Sequence, residues 1–556
     1  MKMNNKNKAA AAVIGSIAVA LVLIIIVIAV GIGGNVDTNE DGIKGKTLDQ
    51  LMERVTYNTA VPTKASVNLT GASLYDELPS IDKYPLVVSG YGSIDIEIFT
   101  SGEKGGTGYD GWLVECAEDF NSQGFLTTSG RTVTMSVRSV SSGLGADYII
   151  SNRYLPDLYT PSNELFGEYA IANGANMELY NERLVGNTAG ILVRKNSGYT
   201  SVDAVVQDVM NAKLNIGYTN PQTSATGVNL LMEILKTHGG IGTDEATDAF
   251  VQFNNNIPFV AYTTQQMAES ASNGTLDGMV TEYQAYINDK NLQSIYEFIP
   301  FGMRHDNPLY IVDKISKSQD DLEAIALINE YLMSDDCQKI ATHYGFNADD
   351  SYVSSHESTG AEITQAFKIY KTEKDAGKDI IAMFVADCSG SMDGSPIVEL
   401  KESLSNGMQY INENNYVGLL SYSTDITLEL PIAPFDLNQK AYFQGAINGL
   451  SAAGGTSTYE ALCAAIQLVQ AEQVNHPDAK CMIFLLTDGY ANGSYELSDV
   501  KRAVYDSKIP IYTIGYTSSA DMDSLQAVSN INEAASINAD SDDIIYKIKS
   551  LFNAQL

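Results

Sequence analysis

The chain has 556 residues, and its 68 Asp and Glu outnumber its 34 Lys and Arg, for a formal net charge of −34. That length holds two or three domains. A surface of that sign repels phosphate backbones, which argues against nucleic-acid binding; it favours solubility without specifying a fold.

Met1 to Lys8 is polar and carries Lys2, Lys6 and Lys8, and Ala9 to Ile32 is almost wholly apolar and uncharged. Roughly 20 such residues span a bilayer, whereas the apolar core of a secretory signal runs to roughly 7–15. Residues 9–33 are therefore expected to be an uncleaved signal anchor. Residues 1–8 would be cytoplasmic by the positive-inside bias, leaving a single-pass protein with the bulk of the chain outside the cell membrane. Residues 34–87 read as a stalk with some helix near Leu48 to Tyr57. Within it, Asp37-Thr38-Asn39-Glu40-Asp41-Gly42 matches half of a calcium loop, but the twelfth position is Leu48 rather than Glu. Gly45-Lys46-Thr47 lacks the earlier glycine of a phosphate loop, because that position is Glu40.

Residues 88–349 alternate strand-like and helix-like stretches, the pattern of a parallel sheet wrapped by helices. Ser93 to Thr100 reads as a strand, ends in Ser101-Gly102-Glu103-Lys104-Gly105-Gly106, and leads to a helix from about Gly111 to Phe120. Thr132 to Val140 is the next strand and ends in Ser141-Ser142-Gly143. Leu214 to Tyr218 leads through Asn220-Pro221-Gln222-Thr223-Ser224-Ala225-Thr226-Gly227 into a helix to Thr237. Leu276 to Tyr283 reads as a strand returning to the first lobe. Hydroxyls and backbone N–H groups at helix N-termini make anion sites. Ser101, Gly102, Ser141, Ser142, Thr223, Ser224 and Thr226 are the candidates here. Plain capping of the helix is the competing role for each. Lys104 and Arg138 would add positive charge, while Trp112, the one tryptophan, reads as core. This segment resembles bacterial type 2 solute-binding proteins, two α/β lobes around a cleft. Its Asn220–Gly227 stretch resembles the second-lobe loop of the oxyanion binders in that group, which implies a small anionic solute.

Residues 350–377 are polar and read as a linker with a short helix near Glu362 to Tyr370. In residues 378–556, apolar runs separated by helices predict a doubly wound α/β sheet. Ile380 to Ala386 is a short apolar run of the buried-strand type. It ends in Asp387-Cys388-Ser389-Gly390-Ser391. Gly454-Gly455-Thr456 precedes a helix from Tyr459 to Gln470, and Met482 to Leu486 ends in Thr487-Asp488-Gly489. Carboxylates and hydroxyls suit a hard divalent cation. These three stretches together resemble the metal-ion-dependent adhesion site of von Willebrand factor type A domains, a Rossmann-like fold. By that resemblance Asp387, Ser389, Ser391, Thr456 and Asp488 surround Mg²⁺, with manganese or calcium as alternatives. One coordination position stays open for a carboxylate donated by a partner protein.

The five cysteines, Cys116, Cys337, Cys388, Cys463 and Cys481, show no paired spacing. The five histidines show no metal-protease spacing, and there is no nucleophile elbow, so no enzyme activity is expected. The expected function is an outward-facing adhesion protein, anchored in the membrane, that binds a partner through the metal and carries a solute-binding-like module. The alternatives are a transporter-linked solute receptor with an accessory type A domain, and a chelatase-like component of a metal-insertion machine.

Overall fold

The computed structural model describes residues 44–67, 73–257, 259–261, 267, 276–374, 378–488, 491–516, 520–532, 534, 536–539, 546–547 and 551. The chain divides into Met1–Gly45 and Lys46–Leu556, and everything below concerns the second unit.

In chain order the strands are β1 (Asn58–Thr59), β2 (Leu86–Val88), β3 (Ile94–Thr100), β4 (Val133–Ser139), β5 (Leu158–Thr160) and β6 (Met177–Asn181). Next come β7 (Thr188–Arg194), β8 (Ile216–Thr219), β9 (Phe259–Ala261), β10 (Gly278–Glu282), β11 (Tyr296–Arg304) and β12 (Leu309–Val312). The last six are β13 (Ile380–Asp387), β14 (Tyr416–Tyr422), β15 (Ile426–Pro434), β16 (Lys480–Thr487), β17 (Ile511–Tyr516) and β18 (Ser536–Ala539).

They form three sheets, each mixing parallel and antiparallel pairs. One lobe has the order β2-β4-β3-β5-β12-β6, the other β11-β7-β10-β8-β9, and the C-terminal sheet β1-β15-β14-β13-β16-β17-β18. The α/β class expected from the alternating pattern is therefore present. The strand expected over Leu276 to Tyr283 does not return to the first lobe. As β10 it lies between β7 and β8 in the second lobe, and the return is made by β11 and β12.

At the centre of the C-terminal sheet, β13 is buried along its whole length. It pairs in parallel with β14 on one side and β16 on the other. Covered on both faces, such a strand needs the continuous apolar run that its sequence supplies. Phe384 stacks on Phe484 of β16, with ring centroids 5.0 Å apart.

Two expected boundaries are corrected by packing. Much of the stretch read as a stalk belongs to the C-terminal sheet. Leu51 is fully buried in the cluster that holds Ile466 and Val504, and its carbonyl accepts from the Tyr495 hydroxyl at 2.8 Å. β1 then adds to β15 as a parallel edge strand, Asn58 beside Thr427. Residues 73–88 belong instead to the first lobe, where β2 pairs with β4. The stretch read as a linker carries the helix Gly360–Glu373, started by a Thr359/Glu362 capping box. Ile363, Ala366, Phe367 and Tyr370 recur at helical spacing and are buried among helices of the two-lobed module. The two-lobed module is thus inserted into the C-terminal domain, between β1 and β13.

The single-pass membrane placement is also corrected. Residues 9–33 lie outside the described residues, and among the described residues no helix is long and apolar enough to cross a membrane. The longest described helix, Thr458–Gln473, has 16 residues, short of the roughly 20 a bilayer requires.

Candidate functional site: a metal-type loop cluster and an interlobe cavity

The first site sits where β13 and β16 end. The two strands are parallel neighbours, with Ala386 beside Leu486. Their exits therefore place the Asp387 loop next to Asp488. Asp387 is fully buried. Its Oδ1 accepts from the Ser389 N–H at 2.8 Å, and its Oδ2 accepts from the hydroxyls of Thr487 at 2.6 Å and Tyr422 at 3.2 Å. These bonds fix the carboxylate plane. The Ser389 and Ser391 hydroxyl oxygens lie 3.0 Å apart, and Ser391 donates to Asp488 Oδ1 at 2.9 Å. Thr456 enters on the third loop, which the Gly390 N–H ties down by donating to the Gly454 carbonyl at 3.0 Å. Gly454 has φ +84°, and a Cβ there would meet Thr424 Oγ1 at 2.8 Å, so glycine suits this turn. Asn492 Oδ1 accepts from the Thr456 N–H at 2.7 Å.

Four of the five expected ligands are thus joined by a chain of hydrogen bonds, and Thr456 is linked to them through its loop backbone. Burial pushes the Asp387 carboxyl above the usual carboxylate range, and the neighbouring Asp488 charge adds to it. Burial raises Asp488 as well. Two buried carboxylates beside three hydroxyls fit a hard cation. Oxygens roughly 2.1 Å from an octahedral ion stand about 3.0 Å from their neighbours. The 3.0 and 2.9 Å separations along Ser389, Ser391 and Asp488 are hydrogen bonds between these oxygens, short enough for all three to reach one such ion. Among the described residues no cluster of three or more His, Cys, Asp or Glu side chains is placed to hold a metal, so hydroxyls carry much of the donor set. Thr487, Tyr422 and Asn492 escaped the sequence reading. Thr487 was visible as the hydroxyl before Asp488, but the other two come from distant elements.

The second site is a 690 Å³ cavity between the lobes. Ser101, Gly102, Ser141, Ser142, Thr223, Ser224 and Thr226 all line it. Ser141 and Ser224 also cap helices, accepting from the N–H groups of Leu144 and Gly227 at 3.4 and 3.3 Å. The lobes touch where the Gly143 N–H donates to the Thr223 carbonyl at 3.2 Å. A Cβ on Gly143 would lie 2.2 Å from the Gln222 carbonyl oxygen. Neither expected cation faces the cavity as a free charge. Lys104 is buried behind it, its Nζ donating to Ser101, Glu103 and, at 2.7 Å, Asn307. Arg138 bonds Glu97 at 2.6 Å and is not part of the lining. Trp112 is core, with its indole N–H on the Cys337 carbonyl at 2.9 Å. The sequence reading missed the carboxylates of the lining: Glu103, Asp110, Glu282 and Asp289.

The family model of the von Willebrand factor type A domain matches residues 382–553, and that of the bacterial extracellular solute-binding protein matches residues 105–347. The chain thus combines a type A domain with a solute-binding-like module. Inter-alpha-trypsin inhibitor heavy chain H3 of Mus musculus is 27% identical over 173 residues, 29% of this chain and 19% of that protein. The Bos taurus counterpart is 25% identical over the same shares. The chain therefore spans about a fifth of the length of these curated relatives. Among solved structures, a von Willebrand factor type A protein from Catenulispora acidiphila is 19% identical, with a TM-score of 0.29, covering 32% of this chain and 42% of that one. The sulfate-binding protein SubI from Mycobacterium tuberculosis is 15% identical, with a TM-score of 0.35, covering 49% of this chain and 96% of that one.

Proposed function

We propose that this chain is a binding protein whose type A domain recognises a partner protein through a divalent cation, Mg²⁺ in the first instance. The observation that carries this reading is the convergence of oxygens from Ser389 through Ser391 to Asp488, hydrogen-bonded to one another beside the buried Asp387. Ser389, Ser391 and Thr456 would hold the ion through their hydroxyls, and Asp387 and Asp488 directly or through water. When bound, the cation supplies a Lewis-acidic position for a carboxylate from outside the chain. Thr487 and Tyr422 orient Asp387, and Asn492 holds the Thr456 loop. The role is recognition rather than turnover.

Calorimetric titration of the full chain with Mg²⁺ tests the metal part, and capture of candidate partner proteins with and without EDTA tests recognition. Asp387→Ala is expected to abolish both. Partner binding that is indifferent to EDTA and to Asp387→Ala sinks the reading.

A second reading has its own observation, the 690 Å³ cavity lined by both lobes. In it the chain is a solute receptor with the type A domain as accessory. Titration of the full chain with small solutes separates the two, because the receptor reading requires a ligand that binds with Asp387 replaced.

A further inference from the structure

Resting on the reading of the interlobe cavity as a solute site, we infer that its ligand is a small organic cation, an amine or quaternary ammonium, and not the oxyanion that the serine- and threonine-rich loops suggest. Glu103, Asp110, Glu282 and Asp289 line the cavity, and among the described residues no Lys, Arg or His does. Among the described residues, Glu103 is paired with Lys104 at 2.9 Å and Glu282 with the His305 imidazole at 2.9 Å, while Asp110 and Asp289 have no Lys, Arg or His within ion-pair distance.

Glu282, at the end of β10, is held in place by its neighbours. Its Oε2 accepts from Asn187 Nδ2 at 2.8 Å, and its Oε1 lies 2.9 Å from His305 Nδ1. Asp110 and Asp289 come from opposite lobes and flank the half-exposed Tyr109. All three groups line the same cavity, and burial together with the charges of the two carboxylates pushes the Tyr109 phenol above its usual range. Asp110 Oδ1 accepts from the Gly108 N–H at 2.9 Å, and Asp289 Oδ1 accepts from the Asn291 N–H at 2.8 Å. The second oxygen of each takes no hydrogen bond from a described residue. The Gln284 amide ties this wall across the lobes by donating to the Tyr109 carbonyl at 2.7 Å. Thr281, 1% exposed, also lines the cavity.

Two helix N-termini also face the cavity, and taken alone they would favour an anion. Ser141 and Ser224 already take one N–H of each first turn, those of Leu144 and Gly227, and the Thr223 carbonyl takes that of Gly143. An oxyanion would sit beside Asp110, Asp289 and Glu282 with no free cation to offset them, whereas a cationic head gains from those carboxylates and from the Tyr109 ring. No cluster of three or more His, Cys, Asp or Glu side chains converges on a point among the described residues. That favours a spread organic cation over a bare metal ion. The volume lies in the ordinary range for small-molecule sites.

The test is calorimetry of the full chain, with the metal site saturated in Mg²⁺, against putrescine, choline and glycine betaine on one side and sulfate, phosphate and molybdate on the other. Binding of at least one amine is expected, weakened about tenfold by Asp110→Asn and by Asp289→Asn. Asn remains a good helix cap at 289, so folding is preserved. Oxyanion binding without amine binding overturns the charge assignment but leaves the solute-site reading standing. Amine binding unchanged in both variants overturns the assignment to this wall. A flat response to the whole panel at millimolar concentration overturns both the inference and the solute-site reading.

Discussion

Ser391 donates its hydroxyl hydrogen to Asp488 at 2.9 Å across 97 positions of sequence. That one bond joins the loops leaving two neighbouring parallel strands. Its neighbour, the Thr487 hydroxyl on Asp387 Oδ2, lies beneath it and is fully buried. Thr487→Val keeps the shape and removes that donor. The expected cost is about 1–3 kcal/mol of stability, with a loss of Mg²⁺ affinity because Asp387 is freed to rotate. Chemical denaturation and Mg²⁺ titration of the variant check both. Unchanged Mg²⁺ affinity would mean that Tyr422 and the Ser389 N–H orient the carboxylate unaided.

Magnesium should stabilise the fold by mass action. At a concentration a hundred times its dissociation constant, a ligand of the native state adds about 2.7 kcal/mol. The melting temperature of the full chain should therefore rise with Mg²⁺ and fall back with EDTA, and the Asp387→Ala variant should show no shift. An equal shift in the variant would place the ion elsewhere.

The segment before the inserted module should be indispensable to the C-terminal domain. Leu51→Ala empties a fully buried position and is expected to cost about 2–5 kcal/mol. A fragment of residues 378–556 should be less stable than one to which residues 46–67 are also joined. Equal denaturation midpoints for the two fragments would count against this.

Acid should weaken the two-lobed module through His356. Burial pushes its imidazole down to about 4, and the Lys236 charge adds to the effect. The Glu233 carboxyl lies 3.5 Å from its Nε2 but is itself pushed towards the protonated form by burial, so it offers little compensation. The unfolded chain takes up a proton near pH 6.5 and the folded chain only near 4, so the unfolded state binds more protons between those values. The stability contributed by neutral His356 is complete above pH 6.5 and is lost as pH falls towards 4, up to about 3 kcal/mol. His356→Gln should flatten stability against pH in that window, as followed by denaturant midpoints. A slope unchanged in the variant would assign the effect to other groups.

The lobes should be unable to close with a larger residue at Gly143. Gly143→Val places carbon atoms against the Gln222 carbonyl, whose oxygen a Cβ alone would approach to 2.2 Å. Small-angle scattering should then show a more extended chain. An unchanged profile would show that the loop at Gln222 gives way instead.

Much of this architecture is legible in the sequence, and the gaps have physical causes. The β13 run is buried on both faces, so its apolar stretch is unbroken and easily read, and the loop after it inherits its position from the strand. β15 was missed because it is an antiparallel strand with part of its surface exposed, and Glu429 and Pro431 interrupt the pattern. The helix Gly360–Glu373 looks polar when averaged, but its buried stripe appears only when every third and fourth residue is read together. Leu51 and Val55 are too few to announce a core, since their partners Tyr495 and Ile466 lie more than 400 positions away. The hydroxyls of the cavity stood out because they sit in Ser/Thr-rich turns. Its carboxylates are single residues on separate elements, and only folding brings them to one wall.

The insertion also fixes where the two modules meet. Lys378 and Lys480 stand at the beginnings of β13 and β16, and their ammonium groups donate to the Asn255 and Asn254 carbonyls of the second lobe at 3.1 and 3.2 Å. Asp387 stands at the far end of the same strand, roughly 25 Å away at about 3.3 Å per residue. This contact therefore lies at the end of the sheet opposite the Asp387 loop. The chain passes between the modules twice, once after Val67 and once after Lys374, so neither can spin freely as it would on a single tether. A load applied at the Asp387 end of the sheet would reach both passages together, and the force would arrive at the base of the second lobe rather than at one flexible string.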